Sequence, residues 1–326
     1  MAAQEAVPGT QTGLLAGETL IVPGPKHDEP VDHGRPAGPK RPFSFGRWFK
    51  ATGWRHLIGV VVVVFALFPI VFVVSSSLNP FGTLTGSNAL FSRIGFDAYA
   101  RILTNPDIPF TNWFANTLII AGVTALLTVF LGALAAYSFS RMRFTGRRFG
   151  LITIVVVQMF PQMLAVVAIF LVMTAISDWF PAIGLNTHIG LIMVYLGGAL
   201  GVNTYLMYGY FNTIPASIDE AAKIDGAGHA RIFFTIILRL VAPILAVVAL
   251  LSFIFSVNEY VVASVILIDT ENQTLAVGLT KLVSNPRYAD WAAFSAGAVI
   301  AALPVVLLFL YLQKYIVGGL SAGAVK

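Results

Sequence analysis

Six long apolar stretches, separated by short polar segments, dominate the pattern of the chain. Each stretch has the roughly 20 apolar residues that a helix needs to cross a bilayer. None of them alternates between apolar and polar positions as the strands of a membrane barrel do, so the pattern predicts helices. The stretches cover residues 57–78, 113–139, 149–176, 189–211, 240–264 and 291–317.

The composition places these helices in lipid. Of the 326 residues, 57% are hydrophobic and only 11% are charged, whereas about a quarter of the residues of a soluble domain are charged. We therefore predict an all-α membrane protein with six transmembrane helices. The sequence contains no cysteine, which excludes disulfides and thiol chemistry. Basic residues on the cytoplasmic side of a membrane protein explain the net charge of +5, so we expect no nucleic acid partner.

The distribution of lysine and arginine predicts that both termini lie in the cytoplasm. In that orientation only Arg93, Arg101, Lys281 and Arg287 lie outside, and the short arginine-rich loop between the second and third spans lies inside. Residues 1–50 are rich in proline, glycine and charged residues and have little with which to build a core. They are predicted to form a disordered cytoplasmic tail in front of a six-helix domain, residues 51–326.

The sequence offers little support for catalysis. It contains no Gly-x-x-x-x-Gly-Lys-Ser/Thr motif for binding nucleotide phosphates, and no cluster of nucleophilic or metal-ligating residues stands out. We therefore expect no enzymatic activity, no metal and no cofactor in this chain. The spans are also nearly free of the ionisable groups that proton-coupled transporters place in the bilayer.

Three polar residues within or beside the spans are candidates for a substrate contact or a gate. Glu259 lies near the predicted outer end of the fifth span, where a carboxylate is either solvated at the surface or in contact with a substrate. Asn258 and Gln158 carry amides that either bind hydroxyl groups of a substrate or join neighbouring helices. The sequence leaves both interpretations open.

The second predicted cytoplasmic loop, residues 212–239, contains a short and well-specified helix. Ser217 and Glu220 have the spacing of a capping box, in which the two side chains bond the first backbone amides of a helix. Asp219 lies four residues before Lys223, so these side chains are expected to pair on one helix face. Asp219 and Glu220 also oppose the partial positive charge at the start of the helix.

The same loop predicts where this helix ends and which face it offers. Gly226 and Gly228 are expected to stop the helix, because glycine adopts the backbone conformation that closes a helix end. Ala221 and Ala222 are expected to form a smooth face that fits a groove on a partner. The loop is therefore interpreted as a rigid docking element, with an ordinary connection between two spans as the alternative.

One motif in this loop carries a specific resemblance. Glu220-Ala221-Ala222, followed by Asp225-Gly226-Ala227, resembles the EAA motif of ABC importer permeases. In that family the helix with this motif sits in a cleft of the nucleotide-binding subunit and transmits its closure. The resemblance implies that the loop 212–239 is a coupling-helix loop, with ATPase-coupling roles for Ser217, Glu220, Ala221, Ala222, Asp225, Gly226 and Ala227.

Further strings resemble permease subunits of the maltose/maltodextrin (MalG) type. They are residues 180–188, 195–198, 209–214, 243–248, 274–278 and 319–326. The resemblance runs from about residue 57 to the C-terminus. It implies the type I ABC importer permease fold and a multi-pass protein of a prokaryotic cell membrane that translocates maltose, maltodextrin or a related oligosaccharide. Trehalose or another glycoside is an alternative substrate. A secondary transporter or channel without an ATPase, and a structural or receptor component, are alternative functions.

The resemblance also implies partners. These are a homologous second permease subunit, two ATPase subunits that bind ATP and Mg, and an extracytoplasmic sugar-binding protein. In the family, the loop corresponding to residues 268–290 reaches into the binding protein, and the tail corresponding to residues after 317 contacts the ATPases. The chain departs from the family where it has Leu238-Arg239 in place of Leu-Pro. We therefore expect the coupling loop to run more continuously into the fifth span.

Overall fold

The computed structural model describes residues 45–81 and 90–324, which lie in helices, turns and loops. Most of the predicted tail, residues 1–50, lies outside this part. The chain divides into two compact units, Met1–Val60 and Val61–Lys326. The described helices are α1 (Phe45–Trp48), α2 (Trp54–Ser77), α3 (Asp97–Thr104), α4 (Phe110–Arg141), α5 (Arg147–Gln158), α6 (Gln162–Trp179), α7 (His188–Phe211), α8 (Ala216–Ile224), α9 (His229–Arg231), α10 (Leu238–Leu240), α11 (Ala242–Asn258), α12 (Val261–Ile266), α13 (Leu275–Ser284) and α14 (Trp291–Ala324).

The described part of the first unit is a helical segment that leads into α2. A π-helical turn, Phe49–Gly53, follows α1, and α2 begins at Trp54. The ring of Trp48 stacks on that of His56 with their centroids 6.2 Å apart. The Nδ1 atom of His56 lies 3.0 Å from the carbonyl oxygen of Thr52. Amphipathic aromatic rings next to basic residues are typical of a membrane interface.

Five described helices are long and apolar enough to cross a membrane, namely α2, α4, α6, α7 and α14. A sixth candidate is the pair His229–Leu240 and Ala242–Asn258, which passes the same test together but is bent by 78°. The apolar stretches of the sequence therefore lie on helices as predicted. The number of spans is five, or up to six if the bent pair forms one span.

Prolines explain where the predicted spans are interrupted. Proline has no amide hydrogen, and its ring clashes with the carbonyl group four residues earlier. Pro161 lies between α5 and α6, which divides the predicted third span. Pro243 lies in the first turn of α11, so it has no amide hydrogen with which to bond the carbonyl of Arg239, four residues earlier. The expectation of a continuous passage into the fifth span is therefore wrong. Pro69 and Pro304 lie inside uninterrupted helices.

Helix α4 is central to the packing of the second unit, where it lies against α7 and α11. Near its C-terminus Ala136 and Tyr137 are buried in one cluster with Phe211 of α7 and Phe233. Towards its N-terminus Ile120 belongs to a second cluster, with residues of α7 and α12. One continuous helix, α4, thus takes part in two separate core clusters of this unit.

The start of α4 also holds the segment that connects α12 to α13. The indole Nε1 of Trp113 donates to the carbonyl of Thr270 at 2.7 Å. The side-chain amide of Asn116 donates to the carbonyl of Glu271, also at 2.7 Å. Gly278 of α13 lies against the Trp113 ring so closely that a Cβ atom there would overlap it. The lack of a side chain at position 278 therefore lets α13 pack onto α4.

The end of the predicted outer loop, residues 268–290, is tied to α3. Arg101 donates from Nε to Asp290 at 3.0 Å, and its Nη2 lies 3.3 Å from the other oxygen of the same carboxylate. Between α13 and Asp290 the chain is exposed, and Tyr288 is 81% exposed. Contacts with α4 and α3 thus hold the two ends of residues 268–290, and the segment between α13 and Asp290 is exposed.

We expect Gly278→Ala to destabilise the protein by about 1–3 kcal/mol, because the new methyl group overlaps a buried ring that its own hydrogen bond holds in place. The measurement is the thermal unfolding midpoint of the purified protein in detergent. Gly209→Ala is the matched control, since a Cβ atom at that helical position meets no other atom within 4 Å. Equal midpoints for the two variants would contradict the prediction.

Candidate functional site

The predicted short helix of the loop 212–239 is present as α8, but it starts differently from the prediction. Pro215 occupies the N-cap position, and no side chain caps the helix. Ser217 therefore lies inside the first turn, two positions beyond the N-cap from which a capping box forms. The capping box of Ser217 and Glu220 is wrong for this reason. Both side chains are exposed instead.

Helix α8 ends in a tight glycine turn, as predicted for Gly226. This residue has a φ of 79°, a left-handed conformation that side chains disfavour. Its amide donates to the carbonyl of Lys223 at 3.0 Å, and the amide of Ala227 donates to the carbonyl of Ala222 at 2.9 Å. These two bonds form a Schellman motif. Gly228 is not part of it and starts α9 with an ordinary φ of −73°.

The two faces of α8 have different environments. Asp219 and Ala222 are the buried residues of the helix, and Ala222 belongs to the cluster that contains Tyr137 and Phe211. The expected smooth face of Ala221 and Ala222 is therefore wrong, because successive helix positions point in different directions. Ala221 is exposed, while Ala222 packs on the chain itself.

The exposed face of α8 carries a large apolar side chain that the sequence analysis did not single out. Ile224 is 87% exposed, at the last position of the helix. Glu220, Ala221 and Lys223 are exposed as well. The sequence signal that was available for Ile224 is its position at the end of the predicted helix, two residues before Gly226.

The buried face of α8 is held by an ion pair with α4. The Nε atom of Arg141 lies 2.8 Å from Oδ2 of Asp219, and the two side chains are 12% and 7% exposed. Arg141 also donates from Nη2 to the carbonyl of Ile214 at 2.9 Å. The predicted pairing of Asp219 with Lys223 is therefore wrong. Asp219 points inward to Arg141, whereas Lys223 lies on the exposed face.

Gln158, the first candidate for a substrate contact, ends α5 beside a cavity of about 340 Å³. Its amide donates to the carbonyl of Gly198 at 2.9 Å. A Cβ atom at Gly201 would overlap this side chain, so the glycine makes room for it. Thr153 and Thr204 add hydroxyl groups to the mostly apolar lining.

Asn258, the second candidate, lines a different cavity of about 450 Å³ together with Tyr260 and Thr280. Its side-chain amide donates to the carbonyl of Ile254 one turn earlier, at 2.8 Å. The structure thus assigns Gln158 and Asn258 to two separate cavities. No group of three or more His, Asp or Glu side chains that fits a metal ion occurs in residues 45–81 and 90–324.

Glu259, the third candidate, lies at the break between α11 and α12. Its Oε1 accepts from the amide of Val262 at 2.8 Å, and its Oε2 accepts from the amide of Ala263 at 3.0 Å. The hydroxyl of Tyr195 in α7 donates to Oε2 at 2.8 Å. Protein donors thus bind both oxygens of this half-buried carboxylate, so it is anchored to the break and to α7. A role as a gate stays a prediction.

The comparisons with known proteins agree on one family. Residues 128–321 match the family described as "binding-protein-dependent transport system inner membrane component". The maltodextrin transport system permease protein MdxG of Bacillus subtilis is 39% identical over 83% of this chain and 95% of its own length. The maltose/maltodextrin permease protein MalG of Escherichia coli K12 is 39% identical over 83% of this chain and 94% of its own.

Solved structures with the same fold are also ABC importers. A chain of a bacterial ABC transporter that imports the acidic polysaccharide alginate has a TM-score of 0.68 and 27% identity, covering 84% of this chain and 99% of that one. A chain of an alginate ABC transporter in complex with a pentasaccharide-bound periplasmic protein shares the fold with a TM-score of 0.58 at 16% identity. This chain therefore belongs to the binding-protein-dependent transport system inner membrane components and is a permease subunit of an ABC importer for sugars.

Proposed function

We propose that this chain forms part of the translocation path of an importer for maltose or maltodextrins, with α8 as its contact to the ATPase. Its partners are a homologous second permease, two ATPase subunits that hold ATP and Mg, and an extracytoplasmic sugar-binding protein. Both termini lie in the cytoplasm, on the side of α8. The observation that carries the ATPase contact is the division of α8 into a buried face and an exposed face.

The exposed face of α8 has the chemistry of a docking surface. Ile224 offers an apolar anchor, Ala221 allows close approach, and Glu220 and Lys223 surround them with charge. Protein interfaces commonly combine an apolar anchor with a charged rim. Gly226 and Ala227 close the helix through backbone bonds, so its shape does not depend on the partner.

We expect closure of the ATPases to displace α8, and the displacement of α8 to move the spans that it contacts. Helix α8 lies between α7 and the bent segment that leads into α11, and Ala222 packs in the same cluster as residues of α4, α7 and α11. A displacement of α8 therefore acts on three spans at once. The 78° bend before α11 is a place where this span can change its angle, and the break at Pro161 is a corresponding place between α5 and α6.

A neutral sugar fits the spans better than an acidic one. In the five apolar helices, lysine and arginine occur only in the terminal turns of the spans, as Arg55, Arg141 and Lys314. An acidic polysaccharide such as alginate needs cationic or metal partners when it leaves water. The cavities beside Gln158 and Asn258 offer amides and hydroxyls, which bind sugar hydroxyl groups. This supports maltose or maltodextrin, with trehalose and other glycosides as the alternatives.

The experiment that tests the proposal is purification of the assembled complex followed by reconstitution into vesicles. ATP hydrolysis and uptake are measured with maltose, maltotriose, trehalose and an alginate oligosaccharide, each with the cognate binding protein. We expect uptake that requires ATP and is strongest for the two maltodextrins. Uptake without ATP would favour a secondary transporter, and preference for alginate would contradict the assignment of the substrate.

We expect Ile224→Ser to reduce the amount of ATPase that co-purifies with the chain by about tenfold or more, because loss of a buried apolar anchor costs about 2 kcal/mol or more. Ile268→Ser is the matched control, since Ile268 is also exposed, at 56%, but lies on the predicted outer side. Equal amounts of ATPase with both variants would show that Ile224 is not an anchor.

Gly226→Ala should uncouple ATP hydrolysis from uptake while membrane insertion remains normal. A residue with a side chain at φ 79° costs about 1–2 kcal/mol, so the turn that closes α8 shifts or opens. The measurement is uptake per ATP hydrolysed in reconstituted vesicles. Gly228→Ala should behave as the native chain, since Gly228 has an ordinary φ and open space around its Cα.

A further inference from the structure

Helix α8 has little apolar surface with which to hold its place. It has nine residues, and Ala222 is its only buried apolar side chain. A helix this short is marginal in isolation, so tertiary contacts have to fix it. Burial of one alanine contributes little compared with burial of a larger side chain. The attachment of α8 therefore depends mainly on its second buried residue, Asp219.

Asp219 in turn depends on Arg141. The Nε atom of Arg141 lies 2.8 Å from Oδ2 of Asp219, but neither carboxylate oxygen has a hydrogen bond within the described residues, so the buried carboxylate is compensated by the charge of Arg141 and not by hydrogen bonds. A buried carboxylate without its partner is strongly unfavourable. The guanidinium of Arg141 also binds the carbonyl of Ile214, in the short connection between α7 and α8. One side chain thus fixes both the helix and the segment that enters it.

Arg141 is the last residue of α4, the helix around which the second unit is packed. Two further contacts join the same end of α4 to this region. The hydroxyl of Ser140 donates to the side-chain oxygen of Asn212 at 3.0 Å. The rings of Tyr137 and Phe233 lie 5.1 Å apart. The ion pair therefore connects α8 to a rigid element that reaches the opposite end of the unit.

We propose that Arg141 and Asp219 are positioning residues that make α8 and the end of α4 move as one body. A force applied to the exposed face of α8 then tilts α4. Packing of Ala222 and the half-buried Ile218 resists sliding of α8 only weakly, whereas separating two nearly buried opposite charges that lie 2.8 Å apart is strongly unfavourable. The inference rests on the proposed contact between α8 and an ATPase.

The first test compares uptake per ATP hydrolysed for the complete complex in vesicles, with maltotriose as the transported sugar. Asp219→Asn and Arg141→Gln remove the ion pair, and both should lower this ratio by at least about tenfold, because an unpaired buried charge no longer holds the helix. Asp219→Glu keeps the carboxylate and should restore the ratio to within about twofold. Arg148→Gln, which changes an exposed arginine in the first turn of α5, is the control.

The second test does not depend on the sugar. The chain has no cysteine, so spin labels introduced through Arg143→Cys, just beyond the end of α4, and Ala216→Cys, at the exposed start of α8, report the distance between these two elements. In the native complex we expect one narrow distance distribution that is the same with and without ATP. In the Asp219→Asn background it should broaden.

The outcomes separate the two proposals. A native complex that takes up none of the tested sugars in an ATP-dependent way overturns the proposed function. A native complex that transports, combined with an unchanged ratio and an unchanged distance in Asp219→Asn and Arg141→Gln, overturns the positioning role alone. If those variants fail to assemble, the double variant Arg141→Met with Asp219→Leu decides, because it removes the ion pair without leaving either buried charge unpaired. An unchanged ratio and distance in that variant also overturn the positioning role.

Discussion

Every backbone amide in a membrane span needs a partner within the protein, because the hydrocarbon of the bilayer offers none. This constraint explains what the chain does at its helix breaks. At the end of α11 the carboxylate of Glu259 accepts the amides of Val262 and Ala263, which open the next helix. The hydroxyl of Tyr195 joins it from α7. The carboxylate of Glu259 thus supplies acceptors for backbone amides at the place where α11 ends and α12 begins.

The need for hydrogen-bond partners is different at α8, because this helix is predicted to lie at the cytoplasmic surface, in contact with water. There the backbone is easily satisfied, and the difficulty is to keep a nine-residue helix in one place. The chain uses the Schellman turn at Gly226 to fix the end of the helix and the pair of Arg141 with Asp219 to fix its direction. The ion pair lies on the buried face, and the turn lies beyond the last residue of the helix. The exposed face therefore stays free of structural duties and is available to a partner.

Much of the fold follows from local pattern. Runs of about 20 apolar residues gave the positions of the spans, and the glycine at position 226 gave the end of α8. The errors concern relations that a local pattern does not contain. Asp219 pairs with a residue 78 positions earlier, since 219 − 141 = 78, and not with Lys223 one turn away. The predicted capping box was wrong because the N-cap is Pro215, two residues before Ser217. The prediction of a continuous passage into the fifth span rested on the missing proline at position 239. The bend lies next to Pro243, in the first turn of α11.

The two alanines of the motif lie in different environments on one short helix. The size of Ala222 is set from within, because it packs between α4, α7 and α11, and a larger side chain there would force α8 away from its core. Ala221 is exposed, and no contact within the described residues limits its size. Beside it, Ile224 exposes an apolar side chain to water almost completely, at a cost of about 1.5–3 kcal/mol relative to burial. Within this chain, neither the small side chain of Ala221 nor the exposed side chain of Ile224 contributes to stability. A surface that covers Ile224 and requires close approach at Ala221 accounts for both, and this is the strongest argument that the exposed face of α8 has a protein partner.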